Sequence, residues 1–190
     1  MVAGQSAVGG ADSPVIRLNL GSGNVYAPGW YNVDHNGCPH RRDETVDLTK
    51  PLPWPDGHIA LAYAGHVLEH LTLPQCRDLL TDLRRCMIPG GALMVVGPDV
   101  EVARRIGTGD LHTMGELVEG SQRWPGDEHQ WECTAQLVMD LLTETGWRDV
   151  KDVGIVNVAP YWPVADREPL WQLAVSAKTA RLREGEYHPV

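Results

Sequence analysis

Apolar residues recur along this chain in short runs, separated by polar, glycine-rich or proline-rich stretches. The run at 15–20 reads as a buried strand that breaks into Gly21-Ser22-Gly23. Further strands are predicted at about 30–34, ending on Asp34, and at 45–48, 58–64 and 92–96, with two late ones at 147–158 and 170–177. Over 74–87 the apolar residues Leu79, Leu80, Leu83 and Met87 take helical spacing, with Pro74 in the first turn and Pro89-Gly90-Gly91 as the stop. Asp99 is placed to cap a helix over 100–106, and 134–145 reads as another helix, ended by Gly146. The link at 24–29 contains Pro28-Gly29 and leaves room for a turn or two of helix at most. Pro51, Pro53 and Pro55 stiffen the loop at 51–57, because each fixes its own φ and biases its predecessor toward an extended shape. Strands alternating with helices define an α/β chain.

The length, 190 residues, fits one domain. Residues 1–13, rich in Gly, Ala and Ser, are expected to be a disordered leader, 14–178 the folded domain, and 179–190 a charged tail. Within the domain, 107–132 lacks regular patterning and is read as an insertion or lid. Twenty-five acidic against 16 basic residues give a net charge of −9, which argues against a nucleic-acid partner. The pairs Arg41-Arg42, Arg84-Arg85 and Arg104-Arg105 are expected to be solvated surface. None of the four cysteines forms a C-x-x-C pair, and Cys76 and Cys86 fall in the helical pattern as buried apolar residues. No run is long and apolar enough for a membrane span and 1–13 lacks a secretory core, so a cytoplasmic location is expected. Oligomeric state is not written in this sequence, and a homo-oligomer stays open.

The chemistry concentrates at the first strand end. Glycines let a backbone approach a ligand closely and take positive φ. A carboxylate at the tip of the neighbouring strand, Asp34, accepts two hydrogen bonds from a ribose diol. The pairing points to a nucleoside-containing cofactor.

Five motifs then occur in order: Leu20-Gly21-Ser22-Gly23; Gly29-Trp30-Tyr31-Asn32-Val33-Asp34; Asp47-Leu48 with Pro51-Leu52-Pro53-Trp54-Pro55-Asp56; His66-Val67-Leu68-Glu69-His70-Leu71; and Leu83 to Gly91. Together they resemble the class I S-adenosylmethionine-dependent methyltransferases, in a compact bacterial branch with a GW-x-N-V-D second strand and an LEH turn. The resemblance covers about residues 15–178. It implies a Rossmann-like seven-stranded sheet of order 3-2-1-4-5-7-6, with an antiparallel last strand and helices on both faces. It implies S-adenosyl-L-methionine as cofactor and a small-molecule methyl acceptor, hydroxylated because the asparagine-proline-proline-aromatic motif of amino-group methylation is absent. A sugar or glycan precursor is the branch-level analogy.

By the same resemblance, Asn19, Leu20, Gly21, Ser22 and Gly23 line the cofactor, Asp34 takes the ribose, and Asp47 and Leu48 meet the adenine. Gly65 and His66 border the sulfonium and the acceptor. His66 is a candidate general base, its reference pKa lying near neutrality. His129, with Trp131, resembles a GH-x-W feature and is a second catalytic candidate, with a packed histidine as the equal alternative. Two other readings remain: a non-catalytic cofactor-binding or partner-docking domain, and a zinc hydrolase, because 66–70 also spells H-x-x-E-H. The methyltransferase reading requires no metal, and no metal ligand is assigned.

Overall fold

A computed structural model describes residues 15–35, 37–107, 113–122, 126–163 and 170–181. The expected leader, and 182–190 of the expected tail, lie outside them. Seven strands form one sheet: β1 (Ile16–Leu20), β2 (Tyr31–Asp34), β3 (Glu44–Thr45), β4 (Ile59–Gly65), β5 (Met87–Pro98), β6 (Arg148–Asp152) and β7 (Gln172–Lys178). Their order is β3-β2-β1-β4-β5-β7-β6, and β7 runs antiparallel to both of its neighbours. The helices are α1 (Leu73–Cys86), α2 (Val100–Ile106), α3 (Met114–Glu119) and α4 (Ala135–Glu144). This is the Rossmann-like arrangement that the motifs imply.

Period-2 alternation sorts the strand residues between two faces. Leu18, Leu20, Ala62, Ala64, Leu93, Val95 and Val175 pack with Leu79, Leu80 and Leu83 of α1 and with Val138, Leu141 and Leu142 of α4. Tyr63, Met94, Val96 and Ala174 point to the other face, where Trp30, Ile155, Val158 and Trp162 cover them. Cys76 and Cys86 lie in the first core, and burial pushes their thiols up to about 12 and about 11, so they are inert packing residues.

Several boundaries differ from the pattern. β3 stops at Thr45 because Asp47 turns back, its Oδ1 accepting from the Thr49 N–H and hydroxyl. β5 starts at Met87 rather than 92, since Met87 is already extended and pairs with Ile59. Pro89-Gly90-Gly91 is a strand irregularity, with Gly90 at φ +77°, rather than a break. β6 ends at Asp152, and Gly154 at φ +68° leads into a 3₁₀ turn, Ile155–Asn157. Helix α3 falls inside the stretch read as irregular. Its Thr113 and Glu116 form a capping box, an S/T-x-x-E signal present in the sequence. Asp99 caps α2 as expected, with Oδ1 accepting from Val102 N at 3.0 Å, and its Oδ2 accepts from Ala135 N at 3.2 Å at the start of α4. No helix of the described residues is long and apolar enough to cross a membrane.

The arginine pairs are more than solvated surface. Arg84 donates to the Thr145 carbonyl at 3.0 Å. Arg104 forms a two-pronged pair with Glu132 at 2.7 and 2.8 Å. Arg85 bonds Asp82, Asp56 and the Trp54 carbonyl, while Asp82 Oδ2 accepts from Leu52 N at 2.6 Å. The proline loop is thereby tied to α1. The Arg85 guanidinium holds the Asp82 carboxyl below its ordinary value.

Replacing this carboxylate, Asp82→Asn, is expected to cost about 1–2 kcal/mol of stability at neutral pH, as for a hydrogen bond to a charged group. A depressed folded-state pKa makes this contribution full above the unfolded value and lost as pH falls through the folded one. Urea unfolding from neutral pH to about pH 3 should show wild type and variant converging in acid; a gap of constant size refutes the assignment.

Candidate functional site

The turn after β1 carries no helix, and two buried asparagines support it instead. Asn19 Nδ2 donates to the Val25 carbonyl and to Asn32 Oδ1, each at 2.9 Å. Asn32 Oδ1 also accepts from Ala27 N at 2.8 Å, and its Nδ2 donates to the Trp30 carbonyl at 2.8 Å. Main-chain groups that a helix would satisfy are thus satisfied by side chains.

That support leaves 21–23 as a close-approach turn. Gly21 and Gly23 take φ of +55° and +49°. A Cβ on Gly21 would stand 2.6 Å from Val67 Cγ2, so the loops after β1 and β4 touch here. Ser22 N donates to the Val33 carbonyl at 3.0 Å. The Asp34 carboxylate accepts from Gly23 N and His35 N, both at 2.7 Å. A carboxylate offers about four lone-pair sites, so two remain for further donors.

Opposite lies the end of β4. Gly65 has no room for a side chain, because Tyr63 packs over it, 2.5 Å from where a Cβ would sit. His66 follows at φ +55°, a strained conformation for a residue with a Cβ. Its Nδ1 lies 3.2 Å from Glu69 Oε1 and its Nε2 lies 3.0 Å from Gln172 Oε1, on β7. Burial works to lower the His66 pKa, but the Glu69 carboxylate outweighs it and leaves the value above the ordinary one. The side chain is 46% exposed, which weakens the burial contribution and favours the raised direction. Glu69 is 1% exposed. Burial works to raise its pKa, and the imidazoles of His66 and His70 bring it below the ordinary carboxylate value.

Between these two walls lies a cleft with about 100 Å³ of enclosed space. Asn19, Gly21, Ser22 and Val25 line one side, and Tyr63, Gly65, His66 and Gln172 the other. The Ser22 hydroxyl is buried at this cleft and has no hydrogen-bond partner among the described residues. An orphan hydroxyl beside a cradle that admits no Cβ suits a polar ligand held close to the main chain.

Of the sequence-based candidates, Asn19, Gly21, Ser22, Gly65 and His66 meet at this cleft. Gly23 and Asp34 stand directly behind it and are bonded to each other. Leu20 is wholly buried in the core. At the end of β3, Asp47 is exposed and folded onto Thr49, and Leu48 packs partly against the core; neither lines the enclosed cleft. His129 is not a lining residue either. Its Nδ1 lies 2.8 Å from the Leu117 carbonyl, and its ring stacks edge-on against His70 with centroids 4.9 Å apart. Burial lowers its pKa. Trp131 Nε1 donates to the Leu68 and Leu71 carbonyls, pinning 126–131 onto the 3₁₀ turn Leu68–His70.

The H-x-x-E-H reading is overturned as a helical zinc motif. His66 ends a strand in the left-handed region, while His70 sits in a separate 3₁₀ turn, so the two histidines share no helix face. Tyr63 and Gln172 were not anticipated. Gln172 lies 106 residues beyond His66, and no local motif announces such a pairing.

No family model and no curated protein matches the sequence. Solved structures match the fold. An S-adenosylmethionine-dependent methyltransferase from Archaeoglobus fulgidus superposes with a TM-score of 0.58 at 16% identity, over 88% of this chain and 87% of that one. Human N-acetylserotonin methyltransferase, solved in complex with S-adenosylmethionine, gives 0.52 at 19% identity over 86% of this chain. This chain spans only 47% of that enzyme. SpnF, a cyclase, gives 0.51 at 18% identity over 90% of this chain and 76% of its own.

Gly21→Ala combines a positive φ with a clash against Val67. It should lower stability by about 1–3 kcal/mol. Val67→Ala opens the space, so in denaturant melts the double variant should lose at least about 0.5 kcal/mol less than the sum of the single losses. Strict additivity would show that the two loops do not meet there.

Proposed function

We propose that the chain binds S-adenosyl-L-methionine in the cleft between the turns after β1 and β4 and transfers its methyl group to a small hydroxylated acceptor. The carrying observation is the cleft itself: a glycine turn with an orphan buried hydroxyl faces a histidine held in a strained backbone between a buried carboxylate and Gln172. The shared fold and the motif order support the same reading.

In this reading Gly21, Ser22 and Gly23 let the main chain lie against the cofactor, and Asp34 takes the ribose hydroxyls on its two remaining lone-pair positions. Bound, the cofactor supplies a methyl group already activated by its sulfonium. The protein's task is then alignment of an acceptor oxygen with that group and removal of the acceptor proton. His66 removes the proton. Neutral His66, with its proton on Nδ1 on the Glu69 side, takes the acceptor proton on Nε2 once the acceptor hydroxyl displaces the Gln172 oxygen from that nitrogen. Glu69 and Gln172 together fix the ring plane. Asp47 and Leu48 border the adenine from the end of β3, outside the enclosed cleft. His129 enters this reading only as a neighbour of the 3₁₀ turn. An acidic chain that collects no basic stripe fits a small-molecule acceptor better than a nucleic acid.

Calorimetric titration with S-adenosylmethionine and with its demethylated product tests the cofactor half. Saturable binding of both is expected, and Asp34→Ala should weaken it by about tenfold or more, one lost charge-assisted pair; unchanged affinity removes Asp34 from the site. The catalytic half is tested by following formation of the demethylated product across a panel of hydroxylated metabolites. With a responsive acceptor, His66→Asn should lower kcat by about 10²–10⁴-fold while cofactor affinity stays within about threefold. Retained kcat would exclude His66 as the base.

A further inference from the structure

The same buried carboxylate lies close to two more histidines, neither of which lines the cleft. One donor atom from each of Glu69, His70 and His129 lies within 4.8 Å of the other two. We propose that these three residues form a site for a first-row divalent cation, zinc foremost, with one carboxylate and two imidazole ligands and a further position open to water. The inference does not depend on the methyl-transfer reading, because none of the three lines the cleft.

Three features carry it. The ligand types are those of an open zinc site, two histidines and a glutamate. Each histidine has its Nδ1 facing a main-chain carbonyl, His129 toward Leu117 at 2.8 Å and His70 toward Glu128 at 3.3 Å. Such contacts set the proton on Nδ1 and leave the lone pair on Nε2, which is the outer-shell arrangement that orients metal-binding histidines. The third feature is Glu69 Oε1, which is fully buried and accepts no aligned hydrogen bond. His66 Nδ1, at 3.2 Å, is near enough to attract it electrostatically but is not aligned as a donor. A buried carboxylate oxygen in this state is stabilised by a cation.

The scaffold suits the role. Glu69 and His70 are adjacent on one 3₁₀ turn, and 126–131 is stapled to that turn by Gln130 N donating to the Glu69 carbonyl at 2.7 Å and by Trp131. Zinc–ligand bonds of about 2.0–2.2 Å place tetrahedral ligands about 3.3–3.5 Å apart, so binding requires the side chains to close by up to about 1.5 Å from their present spacing. His70 and His129 are each half-buried, and a hydrated ion reaches them from solvent. The bound ion would lock 126–131 onto the turn that carries His66's partner.

The test uses the tag-free full chain after chelator treatment. Zinc chloride is titrated by calorimetry, and cobalt chloride by visible absorption. One ion per chain, ligand-field bands of a four- or five-coordinate cobalt, and a rise in melting temperature with zinc are expected. His70→Ala and His129→Ala should each weaken zinc binding by more than about tenfold. Both sites are half-exposed, so circular dichroism is expected to show both variants folded, whereas Glu69→Gln risks the fold. His66→Asn, which alters a neighbour of Glu69 and not a ligand, should weaken zinc binding less than either His70→Ala or His129→Ala. The proposal is overturned by no saturable binding up to about 100 μM zinc, weaker than structural or catalytic sites show. It is also overturned if both folded histidine variants bind as wild type does, which would mark adventitious binding elsewhere. If zinc binding is abolished by His66→Asn but not by the other two, the ion sits in the cleft and the proposed ligand set is wrong.

Discussion

A carboxylate lies inside the protein where four segments of the chain meet. Glu69 is 1% exposed, and around it gather the end of β4 through His66, the end of β5 through Gly97, the start of α1 through the 3₁₀ turn, and the segment 126–131. An ionised group in that position costs several kcal/mol unless positive charge or donors surround it. Imidazoles supply that surrounding here, and the dependence runs in both directions. Glu69 orients His66, and the imidazoles of His66 and His70 make its charge tolerable. Gly97 adjoins the same carboxylate, and a Cβ there would meet Glu69 Oε2 at 3.5 Å, an ordinary contact. The geometry of the cleft wall is therefore set from within the core and not by the exposed loop.

The opposite wall solves a different problem. A turn of ten residues between two parallel strands leaves main-chain groups that a crossover helix would satisfy. Asn19 and Asn32 are neighbours across the β1–β2 ladder, and their amides satisfy the turn from below. Burying two amides is favourable only because they are hydrogen-bonded, Asn19 through its Nδ2 and Asn32 through both its Oδ1 and its Nδ2. The result is a turn stiff enough to hold Gly21 against Val67, yet without a side chain in the space where a ligand would lie.

Much of this was legible in the sequence, and the rest was not for reasons that can be named. Strands β1, β2 and β4 and helices α1, α2 and α4 came from periodicity and caps, which act over a few residues. The glycine turn and Asp34 came from their spacing. The length of β5 was misjudged because Pro89-Gly90-Gly91, an ordinary stop signal, lies on a strand that continues through an irregularity. The end of β6 was misjudged because 153–158 is apolar for covering the sheet and not for joining it. Helix α3 was overlooked although Thr113 and Glu116 spell its cap. Arg84 and Arg85 looked like a surface pair, and only the fold reveals the carbonyls they reach. Gln172 was beyond any local signal, since its meeting with His66 is a product of strand order alone.

The two histidine environments around Glu69 also differ in what surrounds them. On the cleft side, His66 is half-exposed, strained at φ +55° and flanked by a carboxylate and an amide. Strain of one to three kcal/mol persists only where neighbours over-determine it, and here two side-chain partners and the bond from His66 N to the Val96 carbonyl do so. On the far side, His129 is anchored to a main-chain carbonyl and stacked on His70, which holds 126–131 in place without reaching the cleft. Fold likeness carries no weight in that distinction, since methyltransferases and a cyclase share the same architecture. What distinguishes the two sides is local: His66 lines the cleft, whereas His129 is fixed to a main-chain carbonyl away from it. By that criterion the turn after β4 belongs to the cleft wall, and 126–131 belongs to the support behind it.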